Sequence, residues 1–183
     1  MKTIIVTMTL FLSLSSFAGS ASHKMTFSTT KDLELVLSHI TDYENSCQTG
    51  CVNYLPSVDR ITVLRNIDYA DDQFYTWTFV NDFMNSKFFS KVIITRSENE
   101  MTILTEQVGK SLGKRLAKAS GLKSSPLLAS TSASYHLINV NGETIITYNI
   151  NVKFKGLLLN AAKKQIKKGI VNSANAIRKN LLK

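Results

Sequence analysis

The C-terminal segment is the feature that most constrains how this chain can fold. No proline occurs from Leu157 to Leu182, and apolar residues recur there at helical spacing. One stripe contains Leu159, Ala162, Ile166, Ile170, Ile177 and Leu181. The stripe predicts an amphipathic helix of about 25 residues, roughly 38 Å long at 1.5 Å per residue. A helix of that length needs an extended apolar surface to pack on, which a β-sheet supplies.

The sequence before this helix alternates with a period of two, as strands do. The final strand ends at Phe154 and is preceded by Asn141-Gly142, a dipeptide that favours a tight hairpin turn. Alternate residues of this strand are apolar, which is typical of an antiparallel strand with one buried face. That face carries Ile146, Tyr148, Ile150, Val152 and Phe154. Earlier strands are predicted near 61–63 and over 74–80, 88–95, 101–108 and 134–140.

Two further helices complete the pattern. The first is predicted from about Thr30 to Thr41, with Asp32 among its candidate capping residues. A short amphipathic helix is predicted between Lys110 and Pro126. Strands bounded by helices favour an α+β fold, in which a curved antiparallel β-sheet wraps around the long C-terminal α-helix. Such a fold leaves a cavity where the sheet and the helix diverge.

Residues 1–18 have the charged, apolar, small-residue order of a secretory signal peptide. The apolar run from Ile4 to Leu14 is too short to span a membrane, which takes about 20 residues. Ser16 and Ala18 fit a small-x-small cleavage site, so we expect the cut after Ala18. Residues 19–183 are then expected to form a single domain that is periplasmic or secreted.

The two cysteines, Cys47 and Cys51, lie close together in the sequence. In an oxidising compartment such a pair predicts a local disulfide bond. The alternatives are a redox pair and a metal site. Redox pairs usually have two intervening residues, whereas this pair has three, and no His or further Cys lies nearby to complete a metal site. A structural disulfide is therefore favoured, and no metal is expected.

The chain is basic, with a formal net charge of +9. Basic proteins attract anionic partners such as phospholipid headgroups, nucleic acid and acidic glycans. Export disfavours nucleic acid, which is not expected as a partner. Four lysines of the C-terminal helix form either a solvated face or a surface that docks on an anionic membrane: Lys163, Lys164, Lys167 and Lys168. The segment from Lys110 to Lys123 would then form a basic lid at the cavity mouth.

The sequence has no G-x-S-x-G elbow, H-E-x-x-H pair or phosphate-binding glycine loop. His23 is expected in a loose N-terminal tail, and His39 in a surface or capping role. His136, in mid-strand, faces either the cavity or solvent. Glu106 is either a buried acid with a raised pKa or a solvated strand residue. No catalytic residue and no cofactor are therefore expected.

From about Met25 to Lys183 the sequence resembles the START-like superfamily of polyketide cyclases and coenzyme-Q-binding proteins, which have the helix-grip or Bet v 1-like fold. The resemblance is carried by Leu37-Ser-His-Ile-Thr-Asp42-Tyr43, Tyr54-Leu-Pro56-Ser-Val58, Ile61-Thr-Val-Leu64, Asn160-Ala-Ala-Lys-Lys and Ala176-Ile-Arg-Lys-Asn-Leu. The stretch from Cys47 to Cys51 looks like an insertion. Asn85-Ser86-Lys87 stands where many bacterial members have an Asp-Arg-Asp-like element. The resemblance implies a cavity that binds a lipid, sterol, quinone or polyketide; a minority of members catalyse cyclisation.

These observations predict an exported protein that binds a lipid or other apolar small molecule between the sheet and the C-terminal helix. The alternatives are a polyketide-cyclase-type enzyme and an interaction module whose core is filled by its own side chains. The face with Tyr75, Trp77 and Phe79 is either cavity lining or solid core, and Thr78 is a possible polar contact. Residues expected to line the cavity are Tyr75, Trp77, Phe79, Val92, Ile94, Tyr135, Tyr148, Ile150, Val152, Ile166 and Ile170.

Overall fold

The computed structural model describes residues 19–46, 58–81, 85–154 and 159–182. In chain order the elements are β1 (Gly19–Thr29), α1 (Leu33–Thr41), α2 (Tyr43–Ser46), β2 (Arg60–Val63), β3 (Gln73–Val80), β4 (Ser86–Ser97), β5 (Glu100–Gln107), α3 (Lys110–Ser120), β6 (Leu128–Val140), β7 (Glu143–Phe154) and α4 (Leu159–Leu181). The strands form one seven-stranded curved antiparallel sheet in the order β1-β7-β6-β5-β4-β3-β2. The predicted α+β class is confirmed.

The strand β1 is the element that the sequence pattern missed. Its 11 residues pair with β7 from Gly19, opposite Phe154, to Thr29, opposite Thr144. The expectation of a loose tail around His23 is therefore wrong, since His23 pairs with Ile150. Polar residues fill most outward positions of β1, and few of its inward residues are large. The alternation of apolar and polar residues that marks a strand is therefore weak in this segment. At Gly19 the ring of Phe154 occupies the space that a Cβ would need, so a larger residue there would force this ring to move.

We call the side of the sheet that faces α1 and α4 the inner face. The amide of Leu35 donates to Asp32 Oδ1 at 2.7 Å, which caps α1 at its N-terminus. The described part of the predicted α4 stripe, from Ile166 onward, is buried, with Ile177 and Leu181 fully enclosed. The main core cluster joins these helices to the inward residues of the strands. The long amphipathic helix thus finds the apolar sheet surface that its length requires.

We call the opposite side the outer face, and α3 covers part of it over β3 and β4. Leu116 of α3 packs into a cluster with Tyr75, Trp77 and Phe89. The indole Nε1 of Trp77 donates a 2.8 Å hydrogen bond to the carbonyl oxygen of Lys123, which holds the segment after α3 against the sheet. Where α3 lies, the sheet is therefore buried on both faces.

Two sequence-based predictions lie outside the described residues. These are the signal peptide at residues 1–18 and the disulfide between Cys47 and Cys51. Within the described ranges, no helix has both the length and the apolar character needed to cross a membrane.

Candidate functional site

A pocket of about 140 Å³ lies between the inner face and α4, and we call it the inner pocket. Five adjacent strands, β3 to β7, supply most of its floor, and Ser173 of α4 closes one side. Ile40 at the end of α1 and Tyr43 in α2 form another wall. Its position matches the place where the predicted fold leaves a cavity. Its lining residues are Ile40, Tyr43, Val58, Ile61, Thr76, Thr78, Phe88, Ser90, Thr105, Thr131, Ala133, Tyr135, Tyr148, Ile150 and Ser173.

The floor of the inner pocket is rich in hydroxyl groups. Thr76 and Ser90 are direct cross-strand partners on β3 and β4, and each is only 2% exposed. Thr78 and Thr105 extend this polar band along β3 and onto β5. On β6, Thr131 Oγ1 is buried and has no hydrogen-bond partner among the described residues. A buried hydroxyl without a partner is unfavourable, so Thr131 is the lining residue whose hydroxyl would gain most from a new hydrogen bond.

Three tyrosines form the other polar part of the lining. The rings of Tyr135 and Tyr148 stack with their centroids 4.7 Å apart. Burial raises the pKa of Tyr148 far above its ordinary value, and the nearby Tyr43 raises it further. Burial likewise raises the pKa of Tyr43, which is hydrogen-bonded to Thr105. These phenols therefore stay protonated at neutral pH and act as neutral hydrogen-bonding groups.

None of the described residues that line the inner pocket is an Asp, Glu, Lys, Arg or His. The pocket therefore combines aliphatic and aromatic walls with neutral hydroxyls, a combination that suits an uncharged apolar ligand with oxygen atoms. Its volume is similar to that of a cavity that holds one benzene molecule, about 150 Å³. The described lining thus has room for a single ring or for one end of a longer molecule.

The structure distributes the predicted cavity residues over four regions, three on the inner face and one on the outer face. Tyr135, Tyr148 and Ile150 line the inner pocket. Val92 and Ile94 face the same side but are buried in the main core cluster. A second inner cluster encloses three more of them: Val152, Ile166 and Ile170.

The aromatic row of β3 lies on the other side of the sheet. Tyr75, Trp77 and Phe79 point to the outer face, where they pack with or against the cluster around Leu116. Their expected position beside the cavity is corrected, because successive side chains of a strand point to opposite faces. Since β3 is buried on both faces, its composition did not reveal which face lies inward.

Sequence reasoning missed most of the hydroxyl residues, although it named Thr78 as a possible polar contact. One signal was present in the sequence. Thr76 and Thr78 alternate with the aromatic row, so Trp77 beneath α3 requires both threonines to face inward. The apolar side of α3, with Leu112 and Leu116, needs an apolar surface to pack on. That requirement could have indicated that the aromatic row of β3 faces α3.

The titratable candidates lie away from the inner pocket. His136 Nε2 lies 2.6 Å from Glu100 Oε1, and both side chains are substantially exposed. His39 Nδ1 lies 2.8 Å from the carbonyl oxygen of Leu35 within α1. Glu106 is exposed, as its solvated alternative predicted. No group of three or more His, Cys, Asp or Glu in the described part of the chain could hold a metal ion.

The helix α3 is not a lid over the inner pocket. It packs on the outer face, whereas the inner pocket lies on the inner face and is lined by no residue of α3. The predicted basic lid at the cavity mouth is therefore corrected. The burial of Leu116 beside Phe89 and Trp77 explains the placement, since the outer aromatic residues need an apolar cover.

No protein-family model matches the sequence, and the search of curated proteins finds no match. The architecture, in contrast, has counterparts among solved structures. The STAR-related lipid transfer protein from Xanthomonas axonopodis aligns with a TM-score of 0.64 and 13% identity, over 87% of this chain and 85% of that one.

Two further structures have the same architecture. The Zhui aromatase/cyclase from Streptomyces sp. R1128 gives a TM-score of 0.56 at 10% identity, over 86% of this chain and 88% of that one. A START superfamily protein from Mycobacterium smegmatis gives 0.53 at 14% identity, over 89% and 97% of the two chains. The element order, the single curved sheet and the long closing helix agree with these likenesses. The chain therefore has the START-like helix-grip fold that its sequence resembles.

Proposed function

We propose that this protein is an exported, non-enzymatic binder of an apolar small molecule or one end of a lipid, held in the inner pocket. The observation that carries the proposal is the inner pocket itself, with apolar walls and a floor of neutral hydroxyls. Burial of apolar ligand surface supplies the driving force, about 25 cal/mol per Å². The hydroxyls supply the selectivity, because a ligand without oxygen atoms would leave them unpaired.

The lining favours an uncharged ligand with carbonyl or hydroxyl groups. A buried carboxylate or ammonium would need a charged partner, and the described lining has none. Thr131 can donate to a carbonyl oxygen, and the band formed by Thr76 and Ser90 lies across the same floor. Two proteins with the same fold are named as a lipid transfer protein and an aromatase/cyclase, and lipids and cyclic molecules are both compatible with such a lining.

A cyclase-type enzyme is the alternative, and the chemistry of the lining argues against it. Proton transfer needs a group whose pKa lies near the working pH. The pKa values of Tyr43 and Tyr148 are raised by burial, away from that range. The pair formed by His136 and Glu100 is exposed and does not line the inner pocket. The arrangement therefore suits retention of a ligand better than its conversion.

The proposal is tested by native mass spectrometry of the protein purified from its own host, followed by identification of any extracted small molecule. We expect a bound uncharged molecule of defined mass. The variant Ala133→Trp fills the inner pocket and should lose it. Ser132→Trp adds the same bulk at the neighbouring position of β6, whose side chain points to the outer face, and should keep it. Empty wild-type protein that takes up nothing from a lipid extract would favour the filled-core interaction module.

Export and membrane docking complete the proposal. The side chains of Lys163, Lys164, Lys167 and Lys168 are all exposed on α4, so they are free to meet an anionic surface. Each basic residue near such a surface adds about 1 kcal/mol of attraction. Flotation with anionic and neutral liposomes tests membrane docking; equal recovery with both would contradict it.

Sequencing the N-terminus of the exported protein tests cleavage after Ala18.

A further inference from the structure

A second concave region, which we call the outer groove, lies where β5 ends. It has a volume of about 530 Å³ and is bounded by the beginnings of β4 and β6, the end of β5 and one side of α3. Phe88 lines both the outer groove and the inner pocket and so forms the wall between them. The two spaces are therefore neighbours but have different linings.

The outer groove exists because β5 is shorter than the strands on either side of it. The pairing of β5 stops at Gln107, opposite Ser90, and at Glu106, opposite Ser132. The first residues of β4 and β6 continue beyond this point with no strand between them. The segment after α3 closes part of the gap, because Ser125 exchanges backbone hydrogen bonds with Lys87 at 2.8 and 3.3 Å. An open space remains beside it.

The floor of the outer groove is apolar. Phe88, Phe89 and Leu128 contribute buried side chains from the ends of their strands. Above them α3 presents Gly113, whose position lacks a side chain and leaves room over the floor. A Cβ at Gly113 would meet only Val108 Cγ2 at 3.7 Å, an ordinary contact, so no close packing requires a glycine there. The groove has space for a hydrocarbon chain.

The rim of the outer groove is cationic. Lys110 and Lys114 lie one turn apart on α3, and both are exposed. Neither forms an ion pair with a described residue, and none of the described lining residues is acidic. Gln107 also lines the groove, and its Oε1 is buried and has no hydrogen-bond partner among the described residues. The groove therefore combines an apolar floor with two cations and one glutamine oxygen that have no partner in the described part of the chain.

We propose that the outer groove is a second binding site, for a single-chain amphiphile whose anionic headgroup also carries a hydroxyl. The hydrocarbon chain packs on Phe88 and Phe89, and the anionic group pairs with Lys110 and Lys114. The headgroup hydroxyl donates to Gln107 Oε1. This site takes a charged ligand, whereas the inner pocket takes an uncharged one, so the two sites differ in ligand chemistry.

Isothermal titration of the full chain with a short-chain monoacyl glycerophosphate, below its micelle concentration, tests the proposal. The uncharged monoacylglycerol and an alkyl phosphate that lacks the hydroxyl serve as comparison ligands. We expect saturable binding that weakens for both comparison ligands and falls as salt is raised.

The double variant Lys110→Ser/Lys114→Ser should bind at least about tenfold more weakly, since two charge-assisted contacts are lost. Lys118→Ser, on the same helix outside the groove lining, should bind like wild type.

Two further variants separate the groove from its surroundings. Gly113→Leu fills the space over the floor and should abolish binding. Ala119→Leu adds bulk at an exposed position of the same helix outside the groove lining and should bind like wild type. Ala133→Trp blocks only the inner pocket and should leave this titration unchanged. Loss of binding in Ala133→Trp, equal binding of the uncharged comparison ligand, or equal loss in Lys118→Ser would each overturn the proposal. Failure of the inner-pocket function leaves these outcomes unaffected, so the two proposals can fail separately.

Discussion

The two faces of the sheet are both buried near β3, yet they differ in what buries them. On the outer face, Trp77 and Phe89 pack against Leu116 of the short helix α3. On the inner face, Thr76 and Ser90 lie at the floor of a pocket that α4 covers without filling. Over β3, the side that α3 covers is closed by the large aromatic side chains, whereas the side with the small hydroxyl side chains has the space.

This difference shows how a sheet can carry a pocket without losing its core. A large ring fills the volume between a strand and a helix, and its burial stabilises the fold. Threonine and serine fill less of that volume, and they leave room and hydrogen-bonding groups for a ligand. In this chain the aromatic row therefore contributes stability, and the hydroxyl band provides the candidate site.

The largest expected effect comes from the closed outer face. Phe89 is 1% exposed and packs in the cluster under α3. We expect Phe89→Ala to lower the free energy of unfolding by about 3–5 kcal/mol, since it removes a buried ring and leaves a cavity. Urea unfolding followed by circular dichroism measures the change. The variant should retain any inner-pocket ligand at low temperature. A loss below about 1 kcal/mol would mean that the outer face is not packed as described.

A smaller effect of opposite sign is expected at the inner pocket. Thr131→Val replaces a buried hydroxyl that lacks a partner among the described residues with a methyl group of similar size. We expect it to stabilise the ligand-free protein by about 1 kcal/mol, because an unsatisfied polar atom is removed. It should also weaken ligand binding, because the unused hydrogen bond is lost. Thermal unfolding with and without ligand measures both changes.

Thr144 supplies the matched control for this comparison. Its Oγ1 is also buried without a described partner, but the residue does not line the inner pocket. Thr144→Val should give a similar gain in stability and leave ligand affinity unchanged. If both variants changed affinity equally, the hydroxyl of Thr131 would have no special role in binding.

The sequence predicted more of the fold than of the site, and the reason is physical. The stripe of α4 and the Asn141-Gly142 turn are local signals; both residues of that turn have positive φ, as the hairpin requires. The face of β3 that lines the pocket depends instead on register and on which helix covers which side. A strand buried on both faces loses the alternation that would reveal its orientation. The polar and apolar residues of β1 alternate only weakly, so its sequence alone does not predict a strand. Its strand conformation depends on pairing with β7, which lies more than 100 residues away along the chain.

The smallest expected effect concerns an ion pair that links the two faces around the edge of the sheet. Arg65 follows Leu64 of the outer cluster, and its Nη2 lies 3.0 Å from Oε2 of Glu44, next to Tyr43 of the inner pocket. The hydrogen bond with Arg65 lowers the pKa of Glu44. The pair therefore stabilises the fold above the ordinary glutamate pKa of about 4.3, and this contribution is lost as pH falls through the lowered pKa. Both side chains are about half exposed, so water and salt screen the pair and the effect should be small.

Urea unfolding of wild type and Glu44→Gln across this pH range measures the contribution of the ion pair between Arg65 and Glu44. The difference should be largest at neutral pH and low salt and should vanish in acid. A large loss would mean that the edge of the sheet couples the two faces more tightly than an exposed ion pair can.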